Sequence, residues 1–190
     1  MLKYLGPDAD VSERRLKYAR AERERRFLLR GLPEELTPAD YHLQIFDNYL
    51  TGTRLRLRKI RDPRTREWTW KLTQKFAPDA SDLSRTLITN LYLSRAEYEI
   101  LSVFEANEIR KNRYPFEYGG RRFSVDVFLG DLRGLVLAET EFESDEEMRA
   151  FEPPAFVAME VTGEELFTGA RLVELSAEDL RAELRRRAEV

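Results

Sequence analysis

Glu22-Arg23-Glu24-Arg25-Arg26-Phe27-Leu28-Leu29 is the stretch that decides how this chain is read. Glu22, Glu24 and Arg26 stand at a spacing of two, and in an extended strand that spacing turns all three side chains to one face. Two carboxylates beside a guanidinium, aimed the same way, can hold a divalent cation together with the phosphate it neutralises. The pattern recurs outward along the chain: Arg54, Arg56 and Arg58; Lys71, Thr73 and Lys75; Lys111 and Arg113; Glu139 and Glu141.

A single charged strand face is ordinarily a solvated one. Three arginines in a row on one face repel one another, however, and without an anion they make a poor surface. The alternate positions are apolar, as in Leu55 and Leu57, Trp70 and Leu72, and Val125 and Val127. A closed barrel with a polar interior, its outer face partly wrapped by short helices, satisfies both faces. The expected fold is therefore α+β, mainly β: an eight-stranded antiparallel closed barrel with helices packed outside. Its lumen would gather Arg26, Arg54, Arg56, Arg58, Lys75, Lys111, Arg113 and Arg122 against Glu22, Glu24, Asp126, Glu139, Glu141 and Glu160. Such a cavity suits a compact polyanion with one or two hard cations, Mg²⁺ or Mn²⁺. Arginine forks match phosphate oxygens.

The bulk composition narrows the rest. With 190 residues the chain is one domain with short appendages, and 42% hydrophobic residues exclude disorder despite 35% charged ones. The net charge of −3 means that any anion site comes from local segregation of charge. Zero cysteines exclude disulfides and thiolate zinc sites, and the single His42 argues against a histidine-rich metal site. No apolar run reaches membrane-spanning length, so a cytoplasmic protein without membrane contact is expected. No basic helix face stands out for reading nucleic acid.

Strands are expected near residues 21–30, 53–60, 68–76, 83–93, 108–117, 121–129 and 135–142, with a short extended piece at 159–162. Gly119-Gly120 marks a hairpin. Ser94 with Glu97, Ser144 with Glu147, Thr162 with Glu165 and Ser176 with Asp179 mark helix starts, the first running to about residue 106. The organisation expected is an N-terminal extension over 1–20, a tunnel domain over 21–175 and a C-terminal helix over 176–190.

In order, the motifs Glu22-x-Glu24-x-Arg26, Tyr49-Leu50 with Arg54-x-Arg56-x-Arg58, Leu72-Thr73-Gln74-Lys75, Lys111-x-Arg113-Tyr114, Val125-Asp126-Val127-Phe128, Leu137-Ala138-Glu139-Thr140-Glu141-Phe142 and Glu160-Val161-Thr162 resemble those of the CYTH superfamily, the triphosphate tunnel metalloenzymes. The resemblance implies a triphosphate bound inside the barrel and Mg²⁺ or Mn²⁺ as the working ion. It gives phosphate binding to Arg26, Arg54, Arg56, Arg58, Lys111 and Arg113, and metal binding to Glu22, Glu24, Glu139 and Glu141, with Asp126 and Glu160 as further tunnel acids. Lys75 takes the position of the lysine that polarises the phosphoryl or leaving group, and Tyr49 the position of a tyrosine that can partner it. The implied substrate is inorganic triphosphate, thiamine triphosphate or a nucleoside triphosphate. Hydrolysis of inorganic triphosphate is the leading expectation. The alternatives are an adenylate cyclase of the same fold and a polyphosphate- or nucleotide-binding module without turnover.

Three departures bear on that expectation. Arg26 stands where the superfamily signature has lysine. Leu87-Ile88-Thr89 occupies the strand where many relatives carry Glu-x-Glu. Leu166-Phe167-Thr168-Gly169 replaces a basic segment that would add a phosphate contact.

Overall fold

The computed structural model describes residues 18–188. Eight antiparallel strands close into a barrel: β1 (Arg20–Leu28), β2 (Leu43–Leu50), β3 (Leu55–Arg61), β4 (Trp68–Phe76), β5 (Arg85–Leu93), β6 (Ala106–Tyr118), β7 (Arg121–Phe128) and β8 (Val136–Glu141). Around the ring the order is β1-β5-β4-β3-β2-β6-β7-β8 and back to β1. The seam is β1. Its first half, Arg20 to Arg23, pairs with β5, and its second half, Glu24 to Leu28, pairs with β8 on the other edge. The two-residue β9 (Met159–Glu160) continues the β5 edge of β1.

Strict alternation along these strands produces the two faces. Inward positions carry the charges near the middle of the barrel and apolar residues at one end. At that end Leu28, Ile109, Phe128 and Leu137 meet Phe167, Leu172 and Leu180 in a single buried cluster. The last three come from the C-terminal helical segment: a 3-10 turn at Glu165–Phe167, then helices α3 (Gly169–Leu172) and α4 (Ala177–Ala188). That segment floors the barrel. A second cluster covers the outer face: Phe27, Tyr114, Phe116, Phe123, Val125 and Ala138 pack beneath Phe151 and Phe156. These two phenylalanines follow helix α2 (Asp145–Ala150). Helix α1 (Arg95–Leu101) spans the connection from β5 to β6 and buries Tyr98.

The helix starts follow their caps with one exception. Ser94 and Glu97 form the reciprocal capping box. Ser144 accepts from the Glu147 amide, while Glu147 reaches back to the Glu143 amide instead of the cap. Ser176 and Asp179 cap α4 from both directions. Thr162 starts no helix. Its hydroxyl accepts the Arg26 amide at 3.0 Å, so the side chain is spent on the β1 edge and only the 3-10 turn follows. The first helix also ends at Leu101, well short of residue 106, because Ala106 is already paired with Leu50 in the sheet.

Most of the N-terminal extension expected over residues 1–20 lies outside the described residues, as do the last two residues of the expected C-terminal helix. Among the described residues no helix is long and apolar enough to cross a membrane.

Candidate active site

Facing strand positions bring the charged side chains of every wall but β5 into one cavity of about 1520 Å³. Two separate ion-pair systems line it. The first is a continuous chain across five strands. Lys75 on β4 donates to Glu24 on β1 at 2.8 Å and lies 3.2 Å from Glu22. Arg26 donates Nη2 to the same Glu24 oxygen at 2.8 Å and Nε to Glu139 on β8 at 3.0 Å. Arg113 on β6 reaches Glu139 at 3.0 Å and forks onto Asp126 on β7 with two bonds of 2.6 Å. Lys111 closes the chain on Asp126 at 2.5 Å. The β1–β8 register, with Arg26 opposite Glu139, is what places these groups side by side.

The second system belongs to β2 and β3. Asp47 is 1% exposed and accepts both bonds of an Arg58 fork, at 2.5 and 2.6 Å. Arg56 Nε lies 3.5 Å from the same carboxylate. Tyr49, opposite Arg56 in register, interacts with that guanidinium and points at the floor. A Cβ on Gly169 would overlap the Tyr49 hydroxyl and ring, so glycine at that floor position is what admits the tyrosine.

Burial and counter-charge compete at each of these groups. Burial would raise the Glu139 pKa, but Arg26, Arg113, Lys111 and Lys75 hold it well below the usual carboxylate range. Asp47 follows the same logic, with Arg58 and Arg56 outweighing burial to keep it far below its ordinary value. Burial would lower Lys75, yet Glu24, Glu139 and Glu22 together raise it. Lys111 goes the other way, because burial wins over Asp126. Lys71 is lowered to about 8 by burial and by Arg58 and Arg56, only partly offset by Asp47.

The depressed carboxylates predict acid lability. A group whose folded pKa lies below its unfolded one contributes stability above the unfolded value, about 4, and loses it as the pH falls through the folded pKa. The melting temperature should therefore hold down to about pH 4 and fall steeply below it. A flat profile to pH 2 in thermal denaturation would contradict the buried pairs at Asp47 and Glu139.

The structure corrects four sequence expectations. Glu160 is not in the lumen: it lies on the outer side of β1, bonded by Arg25 and Thr162. Glu141 sits at the rim, 58% exposed and paired with Arg20, because β8 ends there. Arg54 precedes β3, is exposed and stacks on Phe76, so it stands apart from both ion-pair systems of the lumen. Tyr49 does not meet Lys75; β3 lies between their strands, and each has other partners. Glu22, Glu24, Arg26, Arg56, Arg58, Lys75, Lys111, Arg113, Asp126 and Glu139 all line the walls or the ion-pair chain behind them.

Asp47 was missed by sequence reasoning. The signal was present: Leu43, Ile45, Asp47 and Tyr49 alternate in the segment just before the arginine ladder. The β5 wall is uncharged, presenting Thr86, Ile88, Asn90 and Tyr92. Ile88, opposite Lys75, stands where an acid of a Glu-x-Glu strand would face the cavity.

Among the described residues no three acidic or histidine side chains converge as a ready metal cage. Glu24 and Glu139, which flank Arg26, nevertheless fit Mg²⁺ or Mn²⁺ that shares its shell with phosphate and water, since such an ion needs only one or two carboxylates.

A closed antiparallel barrel with this charged lumen is the triphosphate tunnel fold. A crystal structure of an inorganic triphosphatase matches it with a TM-score of 0.54 at 24% identity, covering 80% of this chain and 93% of that one, a likeness of fold. Among curated proteins, an inorganic triphosphatase of Acetivibrio thermocellus is 38% identical over 96 residues, 45% of this chain. An inorganic triphosphatase of Nitrosomonas europaea is 36% identical over 91 residues, 42% of this chain. The matches span 60% of the length of each of these relatives. No family model matches the chain.

Proposed function

We propose that this chain is a member of the CYTH superfamily that hydrolyses inorganic triphosphate in its lumen with Mg²⁺ or Mn²⁺. The observation that carries the reading is the pairing of two unlike walls in one cavity. The β2–β3–β6 side presents Arg56, Arg58, Lys111 and Arg113, and the β1–β8 side presents Glu22, Glu24 and Glu139. A polyanion accompanied by a cation satisfies both. The two similar inorganic triphosphatases point the same way.

In this reading Arg56, Arg58, Lys111 and Arg113 clamp the phosphates, with Asp47 and Asp126 fixing the guanidinium and ammonium groups in place. Arg26 replaces the usual lysine and is held between Glu24 and Glu139, so it orients both carboxylates. The bound cation supplies charge neutralisation on the phosphate oxygens and polarises the phosphorus centre. Water attacks the terminal phosphorus and gives up a proton to solvent, the bridging P–O bond breaks, and the departing diphosphate carries the negative charge. Lys75 stands where it can offset that charge.

A substrate panel tests the proposal: inorganic triphosphate, thiamine triphosphate and ATP, each with Mg²⁺ and with Mn²⁺, following free phosphate and cyclic AMP. The expected outcome is phosphate release, fastest from inorganic triphosphate and dependent on metal. Cyclic AMP from ATP with little phosphate from triphosphate would mark a cyclase, and no turnover under any condition would mark a binding module. Glu139→Gln keeps size and removes charge, so it should weaken metal activation, seen as a shift of the activity curve to higher metal concentration. An unchanged curve would remove Glu139 from the metal site.

A further inference from the structure

We infer that Lys71 is a phosphate-binding and specificity-determining residue of the tunnel, holding the end of the anion that lies farthest from Lys75. The inference rests on the proposed binding of triphosphate and adds a residue and a polarity to it.

Counter-charge sets Lys71 apart. Arg26, Arg56, Arg58, Lys75, Lys111 and Arg113 each lie within ion-pair distance of a lumenal carboxylate. Among the described residues Lys71 has no such carboxylate, although it is half-buried and lines the same cavity. Arg54 and Arg122 also lack one, but both are exposed. The reason lies in register. Lys71 stands opposite Arg58 on β3 and opposite Tyr92 on β5. The β5 wall offers Thr86, Ile88, Asn90 and Tyr92, with no acid among them.

Arg56 and Arg58 therefore take the single carboxylate of Asp47 and leave Lys71 without one, whereas on the opposite wall three carboxylates surround Arg26 and Lys75. Like charges so placed are costly until an anion joins them. A phosphate entering at Lys71 displaces no existing ion pair, while one entering at Arg26 or Lys75 competes with Glu24. The acid-poor wall is thus the anchor for the phosphate tail, and the acid-rich wall receives the cation and the phosphoryl group that reacts. Along β4, Lys71 and Lys75 are four residues apart, roughly 13 Å of strand. A triphosphate seated at Lys75 extends toward Lys71, and a diphosphate seated there stops short.

Protonation gives the experiment its handle. The groups facing Lys71 are Arg58 and Arg56 from β3, Asp47 from β2, Arg113 from β6 and Tyr92 from β5. With its pKa lowered to about 8, Lys71 is partly neutral at pH 8 in the free protein. A phosphate placed against it favours the ammonium, so binding draws in a proton.

The test is calorimetric titration of the metal-free protein with tripolyphosphate and with pyrophosphate. It is run at pH 7 and pH 8 in two buffers of different ionisation enthalpy, on wild type, Lys71→Met and Lys71→Arg. Comparison between variants cancels the ligand's own protonation. At pH 8 wild type should take up more protons with tripolyphosphate than either variant. At pH 7 Lys71→Met should bind tripolyphosphate about tenfold more weakly and pyrophosphate with little change, and Lys71→Arg should restore affinity without restoring the extra proton uptake. Equal affinity and equal proton uptake in wild type and Lys71→Met overturn the role of Lys71 while leaving the tunnel reading intact. Absence of tripolyphosphate binding in wild type removes both. Should Lys71→Met fail to fold, Lys71→Gln carries the same comparison.

Discussion

Asp47→Ala should lower the stability of the free protein by about 3–5 kcal/mol, the cost of leaving a buried charge without its partner. For a protein of this size that corresponds to a fall in melting temperature of roughly 6–20 °C. The expectation follows from the Arg58 fork, whose two bonds both end on Asp47, and from Arg56, whose guanidinium leans on the same carboxylate. Removing Asp47 leaves Arg56, Arg58 and Lys71 lining one side of the cavity without their nearest negative charge. Water in the lumen softens this, which sets the lower end of the range. The same change makes the wall more attractive to a polyanion. Tripolyphosphate should therefore raise the melting temperature of Asp47→Ala by more than it raises that of wild type, since a ligand that binds only the folded state stabilises in proportion to its affinity. A variant that melts within 2 °C of wild type, with or without the polyanion, would show that Asp47 is not the counter-ion of this wall.

Turnover, not stability, is the measure at Lys75. Lys75→Ala should bind tripolyphosphate detectably and turn it over at least about tenfold more slowly, or about 1.4 kcal/mol of barrier. In the free protein its ammonium is held by Glu24 and Glu22. Charge grows on the bridging oxygen as the bond to phosphorus breaks, so an ammonium there contributes more in the transition state than in the bound substrate. The fall should appear in kcat more than in KM. Lys75→Arg should not restore the rate, because a planar fork does not replace a point charge. A wild-type kcat in Lys75→Ala would take this lysine out of the chemistry even if hydrolysis itself were established.

Seven of the eight barrel strands were legible from their alternation, and β2 (Leu43–Leu50) was not among those expected. Once Glu22, Glu24 and Arg26 are assigned to one face, the apolar partners Phe27, Val125 and Ala138 must be covered from outside, and Phe151 and Phe156 cover them. What spacing cannot supply is the level along the tunnel axis. Glu139 and Glu141 look equivalent in sequence, yet the first lies opposite Arg26 and the second opposite Glu24 at the rim, a difference set by the β1–β8 register. Glu160 was misplaced for a related reason. It follows the Pro153-Pro154 turn into a two-residue strand, too short for alternation to fix its face, and it meets Arg25 on the outside. Asp47 was hidden because its strand is mostly uncharged, so no ladder of like charges announced it.

The seam at β1 has a consequence for the order in which the molecule assembles. β2, β3 and β4 pair in succession, each with its neighbour in the chain, and their arginines carry their own counter-ion in Asp47. That meander can form from contacts close in sequence. Arg26 has no such local remedy, because its second carboxylate, Glu139, is made more than a hundred residues later. Contacts of that separation are slow to form, since the loop they close must be ordered before they repay it. Ring closure is thus a late event on the ribosome and in refolding. Until β8 arrives, the edges of β1 and β7 that it will join are free to pair with a neighbouring chain, which makes this gap the place where misassembly of the nascent protein would begin.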